Sequence, residues 1–169
     1  MEETISTGPT RPQFLTILCI LTFIGSGWGI VDAITDYFGA EMAGDAVEMV
    51  EEEMDEAMDE IEENEDMSDS QKEFLENIFG DITEAITPEN IRKSSLVNII
   101  SCLLTLFGAI LMWQLKRVGY FAYIAGILVM VIGMAVVFEG VVGLAVAGMT
   151  GFIGVVFIVL YGVNLKHMK

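Results

Sequence analysis

The side chains best suited to chemistry in this sequence are three carboxylates that border otherwise apolar stretches: Asp32, Asp36 and Glu139. A carboxylate held inside a bilayer is costly and is typical of an ion or proton pathway. All three fall at the predicted ends of apolar stretches, where a carboxylate reaches water. The pattern therefore favours an ordinary boundary position. If the chain conducts ions, Asp32 and Glu139 are the candidate transport carboxylates.

Residues suited to covalent or metal chemistry are scarce. The single histidine, His167, stands near the C-terminus, and the two cysteines, Cys19 and Cys102, lie in separate apolar stretches. No pattern pairs a nucleophile with a base, supplies zinc-ligand spacing or forms a phosphate loop. Met49, Met54 and Met58 could suggest copper(I) binding, but methionine at helical spacing is more typical of packing. We predict a protein that is not an enzyme and has neither a cofactor nor a dedicated metal site.

Charge and apolarity occupy different segments of the chain. Residues 40–93 hold 20 of the 25 acids and three of the eight bases, and thus the whole net charge of −17. Soluble domains interleave charged and apolar residues at a period of 2 or 3.6, so this separation argues against a soluble domain. Nucleic acid is excluded as a partner because the chain has no basic face.

Four stretches lack charge over enough residues to cross the bilayer core of about 30 Å. Unbroken apolar runs predict helices, because the backbone must satisfy its own hydrogen bonds in lipid. We predict an all-α integral membrane four-helix bundle with an acidic helical insert between the first two spans. The predicted segments are an N-terminus at 1–12, spans at 13–39, 94–115, 118–138 and 140–165, the insert at 40–93 and a tail at 166–169.

The first span also has a feature of a cleaved signal peptide, because the small residues 25–27 follow an apolar run. Signal peptides begin with a positive region, however, and Glu2 and Glu3 outnumber Arg11 before this run. We therefore expect a permanent membrane anchor.

Basic residues near the span ends predict the orientation. Lys116 and Arg117 lie in the short turn between the second and third spans, on the same side as the bases beside both termini. Together these bases outnumber Arg92 and Lys93 on the other side. The positive-inside rule then places both termini in the cytoplasm and the acidic insert outside it.

Small residues at four-residue spacing predict how the spans pack, because helices in lipid associate through close contact rather than through apolar burial. These rows fit a monomeric bundle or a homo-oligomer, and the glycine-rich fourth span is the predicted site of any contact between subunits. The predicted packing residues are Gly25, Gly29, Ala122, Gly126, Gly143, Ala147 and Gly151.

Apolar residues recur every three or four positions in the acidic insert, which predicts amphipathic helices, although so dense a run of acids also fits a solvated tail. The first helix covers 41–63. The second begins at a capping box of Ser68 and Gln71 and stops at Gly80. Thr87 and Pro88 then predict that the helix of the second span begins well before the membrane. The predicted partner face consists of Val47, Val50, Met54, Met58, Ile61, Phe74 and Ile78. The insert as a whole fits self-association of these apolar faces, a basic protein partner or loose binding of divalent cations.

Strings in the spans carry a resemblance to known proteins: residues 11–16 and 23–27 in the first span, WQLKR at 113–117 and YGVNLK at 161–166. In these strings the chain resembles small four-span bacterial inner-membrane proteins. The resemblance does not cover the acidic insert. It implies a bacterial inner-membrane location and carries no catalytic motif.

Two functions follow as expectations. The first is a non-enzymatic accessory or assembly subunit that lies in the lipid bilayer and presents its acidic insert to a protein partner outside the cytoplasm. The alternative is a small oligomeric channel or transporter for an ion or solute.

Overall fold

The structure is a computed structural model that describes residues 11–40, 44–63 and 67–169, without the side chains of residues 44–47, 51, 63 and 84. These ranges form helices and contain no strand, so the predicted all-α class is confirmed. The helices are α1 (Gln13–Gly39), α2 (Gly44–Glu63), α3 (Asp69–Ala85), α4 (Pro88–Trp113), α5 (Val118–Val137) and α6 (Gly140–Val163), followed by a 3-10 turn at Leu165–His167. The first span has its predicted bounds, and α4 begins at Pro88, before the predicted membrane boundary at residue 94, as the Thr87 and Pro88 signal predicts.

Four helices, α1, α4, α5 and α6, are long and apolar enough to cross a membrane. Between 17% and 33% of the most apolar window of each is buried inside the bundle. Large apolar side chains such as Phe121, Leu144 and Phe152 point outward. Such exposure is unfavourable in water and suits a hydrocarbon environment. The chain is a multi-pass membrane protein built as a four-helix bundle.

Helix α4 lies at the centre of the bundle, with α1 packed on one side and α5 on the other, and α6 packs against α5. Helices α1 and α6 touch only over a short stretch. The described chain ends and the α4–α5 turn lie together at one end of the bundle, which we name the termini end. Helices α2 and α3 form an acidic hairpin at the opposite end, which we name the hairpin end.

Contacts between the chain ends and the α4–α5 turn define the termini end. The backbone N–H of Arg117 donates to the carbonyl of Lys169 at 2.8 Å, and the N–H of Lys169 donates to the carbonyl of Leu115 at 2.7 Å. The guanidinium of Arg11 lies 3.9 Å from the centre of the Trp113 ring, a cation–π contact. The last residues of the chain are therefore part of this turn.

The buried core is also concentrated near the termini end. Leu15, Cys19, Met112 and Tyr161 are fully buried there, and the ring of Tyr123 lies 5.1 Å from that of Tyr161. Each of these side chains belongs to one cluster that joins all four spans. The bundle is thus closed at this end by large side chains.

Close approach between α4 and α5 depends on glycine. A methyl group at Gly108 would lie 2.7 Å from the carbonyl oxygen of Gly119, and one at Gly126 would lie 2.7 Å from the Thr105 methyl carbon. Ser101 adds a hydrogen bond from its hydroxyl to the carbonyl of Gly126 at 2.9 Å. Small residues that admit close backbone contact are the usual basis of helix association in lipid.

Two predicted helix starts are confirmed in the hairpin region, and one predicted helix end is wrong. The backbone N–H of Ser68 donates to Gln71 Oε1 at 3.1 Å, and that of Asn90 donates to Thr87 Oγ1 at 3.2 Å. Helix α3 does not stop at Gly80 but continues to Ala85. A glycine ends a helix by taking a positive φ, and Gly80 does not take one. The longer α3 reaches the start of α6.

Candidate functional site

Several of the predicted small residues lie at contacts between helices. A methyl group at Gly29 would lie 2.9 Å from Cys102 Sγ on α4, and one at Gly151 would lie 3.1 Å from Val131 Cγ2 on α5. Gly126 meets α4 as described above, and Ala147 is buried. The three glycines join neighbouring helices within one chain.

Other predicted small residues occupy different surroundings. Gly143 lies against the carbonyl of Phe138 in the turn that precedes α6, so its contact is local. Ala122 is half-buried on α5. Gly25 is exposed and has no atom of another residue within 4 Å of where its Cβ would stand. A larger side chain at Gly25 therefore has room.

Gly25 has this room because it lines a cleft between α1 and α6. The cleft has a volume of about 270 Å³, and all four spanning helices contribute to its walls. Towards the termini end it is closed where the hydroxyls of Thr22 on α1 and Tyr161 on α6 form a 2.8 Å hydrogen bond. Since α1 and α6 touch only over a short stretch, the cleft opens sideways between them.

The serine and threonine hydroxyls in the walls of the cleft all bond to the protein itself. Ser26 Oγ and Thr105 Oγ1 form a 3.0 Å hydrogen bond between α1 and α4. The hydroxyl of Thr150 donates to the carbonyl of Val146 at 2.8 Å. Side-chain hydroxyls commonly satisfy themselves in this way inside a membrane. The surface left to a ligand is therefore mainly hydrocarbon.

Two polar residues that line the cleft differ from these: the hydroxyl of Tyr123 has no hydrogen-bond partner among the described residues, and Asn98 keeps an amide donor. Asn98 Oδ1 accepts a hydrogen bond from Cys102 Sγ at 3.2 Å. The amide nitrogen of Asn98, Nδ2, donates to no atom of the described residues. Both of its N–H groups therefore lack an acceptor there. An unpaired donor in an apolar environment costs about 1–3 kcal/mol. The cleft thus combines apolar walls with two available hydrogen-bond donors, the Asn98 amide and the Tyr123 hydroxyl.

The predicted partner face of the hairpin is only partly covered. Thr83 Oγ1 on α3 lies 3.5 Å from Met54 Sδ on α2, which joins the two helices. Phe74, on this face, is 64% exposed, and Met49, on α2 but outside the predicted face, is 59% exposed. Val50, Met54, Met58, Ile61 and Ile78 are half-buried. The side chain of Val47 lies outside the described residues.

Asp81 joins the hairpin to the membrane bundle, a contact that the sequence analysis did not predict. Its Oδ2 accepts a hydrogen bond from the N–H of Val141, in the first turn of α6, at 3.2 Å. A carboxylate at a helix N-terminus is stabilised by the free N–H groups and by the helix dipole. Gly140, with φ 69°, lies against the same carboxylate. Glu139, the residue before α6, makes no side-chain cap of its own, which is the local signal for a distant partner.

A second cavity, of about 540 Å³, lies where α3 meets the N-terminus of α4 and the α5–α6 turn. Asp81, Lys93 and Glu139 contribute charges of both signs to its lining. The ammonium group of Lys93 also pairs with Glu89 at 2.8 Å. Asp32 is exposed on α1 and lines neither this cavity nor the cleft. The two candidate transport carboxylates therefore share neither cavity.

No family model, no curated protein and no solved structure matches this chain. Within the described part of the chain, no three His, Cys, Asp or Glu side chains are grouped so as to hold a metal ion. Cys19 and Cys102 are free thiols, and the Cys19 thiol is directed at the carbonyl of Ala109 at 3.7 Å.

Proposed function

We propose that this chain is a non-enzymatic accessory or assembly subunit of the bacterial inner membrane, whose acidic hairpin binds a basic protein partner outside the cytoplasm. The observation that carries the proposal is the exposure of Met49 and Phe74 on a hairpin that also carries most of the chain's acids. Stable protein interfaces commonly combine apolar anchors with complementary charge around them.

The charge of the hairpin selects the class of partner. The side chains of Glu52, Glu53, Asp55 and Glu56 on α2 are all exposed. This negative field repels the anionic headgroups of a lipid surface and attracts a basic surface. The exposed apolar side chains then require a partner that also has an apolar patch, as a protein does. A basic protein satisfies both requirements.

The anchoring of the hairpin supports a role in presentation. Asp81 fixes the hairpin to the start of α6, and α3 leads through a short connection into α4. The partner face is therefore held beside the membrane surface instead of on a free tether. Preorganisation of this kind lowers the entropic cost of binding.

The proposed orientation has both termini in the cytoplasm. Lys116, Arg117, Lys166 and Lys169 belong to the termini end, beside Arg11. The positive-inside rule assigns such an excess of short-loop bases to the cytoplasmic side. The hairpin then faces outward. To test this orientation, a cysteine is introduced in place of Lys169 or of Glu56, and intact cells are treated with a membrane-impermeant thiol reagent. We expect labelling of the cysteine at position 56 alone.

Site-specific photo-crosslinking tests the partner. A photoreactive amino acid replaces Phe74, and the control replaces the exposed Glu76, which lies about 200° away around α3. We expect one discrete adduct with a basic protein from position 74 and none from position 76. The Debye length falls from about 10 Å at 0.1 M salt to about 3 Å at 1 M, so high salt should abolish the adduct.

Other outcomes of the crosslinking experiment contradict the proposal. Equal adducts from positions 74 and 76, or no adduct from either, would remove the hairpin face as a binding surface. An adduct with the mass of two copies of this chain would show self-association in place of a basic partner.

A further inference from the structure

We infer that the cleft between α1 and α6 binds one acyl chain of a lipid from the leaflet at the hairpin end, and that Asn98 donates a hydrogen bond to the ester carbonyl of that lipid. This site is independent of the partner face on the hairpin. It would hold one particular lipid molecule in place, in contrast to the mobile lipids that surround any membrane helix.

The dimensions of the cleft fit a hydrocarbon chain. On α4 the lining runs from Asn98 to Thr105, which is about 10 Å along the helix at 1.5 Å per residue. A volume of about 270 Å³ spread over that height gives a mean cross-section of roughly 27 Å². This cross-sectional area is that of a narrow slot, which holds one hydrocarbon chain.

The same dimensions exclude a transmembrane helix as the occupant. A helix with side chains is about 10 Å across, which corresponds to a cross-section of roughly 80 Å². The cleft offers about a third of that cross-sectional area. A helix from a second copy or from a partner would therefore rest on the rim and leave the cleft unfilled.

The chemistry of the walls also fits an acyl chain. The hydroxyls of Ser26, Thr105 and Thr150 already have partners within the protein, so they do not require a polar ligand. The opening lies between α1 and α6, which face the hydrocarbon of the bilayer. A chain can enter sideways without crossing a polar surface, as the bilayer supplies the ligand at the opening.

Asn98 lies at the depth where a lipid becomes polar. It is four residues, about 6 Å, beyond the predicted start of the second span at residue 94. Side chains on a helix lean towards its N-terminus, and the N-terminus of α4 is at the hairpin end. The Asn98 amide thus leans towards the boundary, where glycerol esters place their carbonyl oxygens. A carbonyl there would satisfy the donor that the described residues leave unpaired.

A photoreactive lipid tests occupancy of the cleft. The full-length protein is placed in lipid nanodiscs that contain a trace of phosphatidylcholine with a diazirine near the middle of one ester-linked chain. After illumination, mass spectrometry maps the labelled residues. We expect label concentrated on the cleft residues Met130, Thr150 and Ile153 and weaker label on the outward-facing Phe121 and Leu144.

A substitution that fills the cleft provides the matched comparison. Gly25→Phe places a ring in the cleft, and Gly27→Phe is its control, since neither glycine has a neighbour within 4 Å and Gly27 does not line the cleft. We expect label at Met130 and Thr150 to fall about tenfold in Gly25→Phe and to stay within about twofold of wild type in Gly27→Phe. A thermal unfolding scan confirms that each variant is folded, and Gly25→Leu replaces Gly25→Phe if the latter is not.

The role of Asn98 is tested separately by comparing an ester-linked phospholipid with its ether-linked analogue, which lacks the carbonyl acceptor. Native mass spectrometry measures which lipid stays bound when both are supplied equally. One hydrogen bond of about 0.5–1.5 kcal/mol predicts a roughly two- to tenfold preference for the ester in the wild type. Asn98→Leu should reduce this ratio to about one, while Asn77→Leu, on the exposed surface of α3, should leave it unchanged.

Three results would overturn the inference. Label spread evenly over cleft and outward-facing residues would mean that no chain is held, as would equal labelling of the Gly25→Phe and wild-type proteins. A covalent adduct between two protein chains through the cleft residues would identify a protein occupant. No preference for the ester in the wild type would remove the proposed bond from Asn98.

Discussion

The two ends of the membrane bundle are built differently. At the termini end, Leu15, Met112 and Tyr161 are fully buried, and the hydroxyl of Tyr161 bonds that of Thr22 across α1 and α6. At the hairpin end, α1 and α6 separate, and Gly25 faces open space. Apolar burial does not drive helices together in lipid, so a bundle closes only where side chains make specific contacts. Closure of the bundle and the proposed binding of a lipid chain therefore lie at different ends of the same helices.

The hairpin end is held by other means. Helix α4 continues beyond the predicted span to Pro88, and Asp81 on α3 caps the start of α6. These contacts lie above the cleft and do not bring α1 to α6. The hairpin therefore stabilises the α3, α4 and α6 side of the bundle while the cleft stays open beside α1.

The contact between α4 and α5 supports both ends, and breaking it should have the largest effect. In Gly108→Ala, the new methyl would stand 2.7 Å from the Gly119 carbonyl oxygen and from the Tyr123 backbone nitrogen, neither of which can move alone. We expect a loss of about 1–3 kcal/mol in the free energy of unfolding, as for other overpacked cores. Unfolding in mixed detergent micelles, followed by circular dichroism, measures it.

Gly27→Ala is the control for this prediction, because nothing lies within 4 Å of its added methyl. It should leave the free energy of unfolding within about 0.5 kcal/mol of wild type, as surface substitutions usually do. If Gly108→Ala were equally harmless, close glycine contact would not be what joins α4 to α5.

Removing the Asp81 cap should loosen the hairpin end alone. Asp81→Ala leaves the N–H of Val141 without its carboxylate, and loss of a helix cap costs about 1 kcal/mol. We expect faster hydrogen exchange at the start of α6 and along α3, with exchange at the termini end unchanged. Asp59→Ala, an exposed acid on α2, controls for the loss of one charge. Faster exchange throughout the bundle would show that the two ends are not independent.

A smaller effect is expected from the hydroxyl bond that closes the termini end. Tyr161→Phe removes the bond to Thr22 and keeps the ring, and such bonds in membrane proteins average about 0.6 kcal/mol. A double-mutant cycle with Thr22→Val measures the coupling between the two side chains. Tyr37→Phe on α1 near the hairpin end is the control. A coupling energy of zero would mean that packing of the core alone closes this end.

The four spans and the helix starts were predictable because their signals are local. An uncharged run of some 20 residues predicts a span whatever surrounds it, and the pairs Ser68 with Gln71 and Thr87 with Pro88 satisfy N–H groups within the same helix turn. Small-residue spacing likewise indicated Gly29, Gly126 and Gly151, each of which faces a neighbouring helix.

The cleft and the Asp81 contact were not predictable because they depend on which helices meet. The same four-residue spacing that puts Gly29 against α4 puts Gly25 beside an open cleft, since the separation of α1 from α6 decides between the two. The glycine at position 80 predicted a helix end, yet its neighbour Asp81 accepts a hydrogen bond from Val141, 60 residues further along the chain. A long-range partner of this kind overrides the local stop signal and leaves no trace in the spacing.

The last prediction concerns whether the closed end is closed to ions. Leu15, Met112 and Tyr161 are fully buried where the cleft ends, and Asp32 and Glu139 lie at the hairpin end without sharing a cavity. We therefore expect potassium and proton flux in proteoliposomes to equal that of empty vesicles, with no change in Asp32→Asn or Glu139→Gln. Vesicles that carry a pore-forming peptide provide the positive control. If the wild type conducted ions and the flux fell in either variant, these carboxylates would instead be part of a conduction path. The conducted ion would then have to pass the buried cluster. This result would also favour the channel over the accessory subunit.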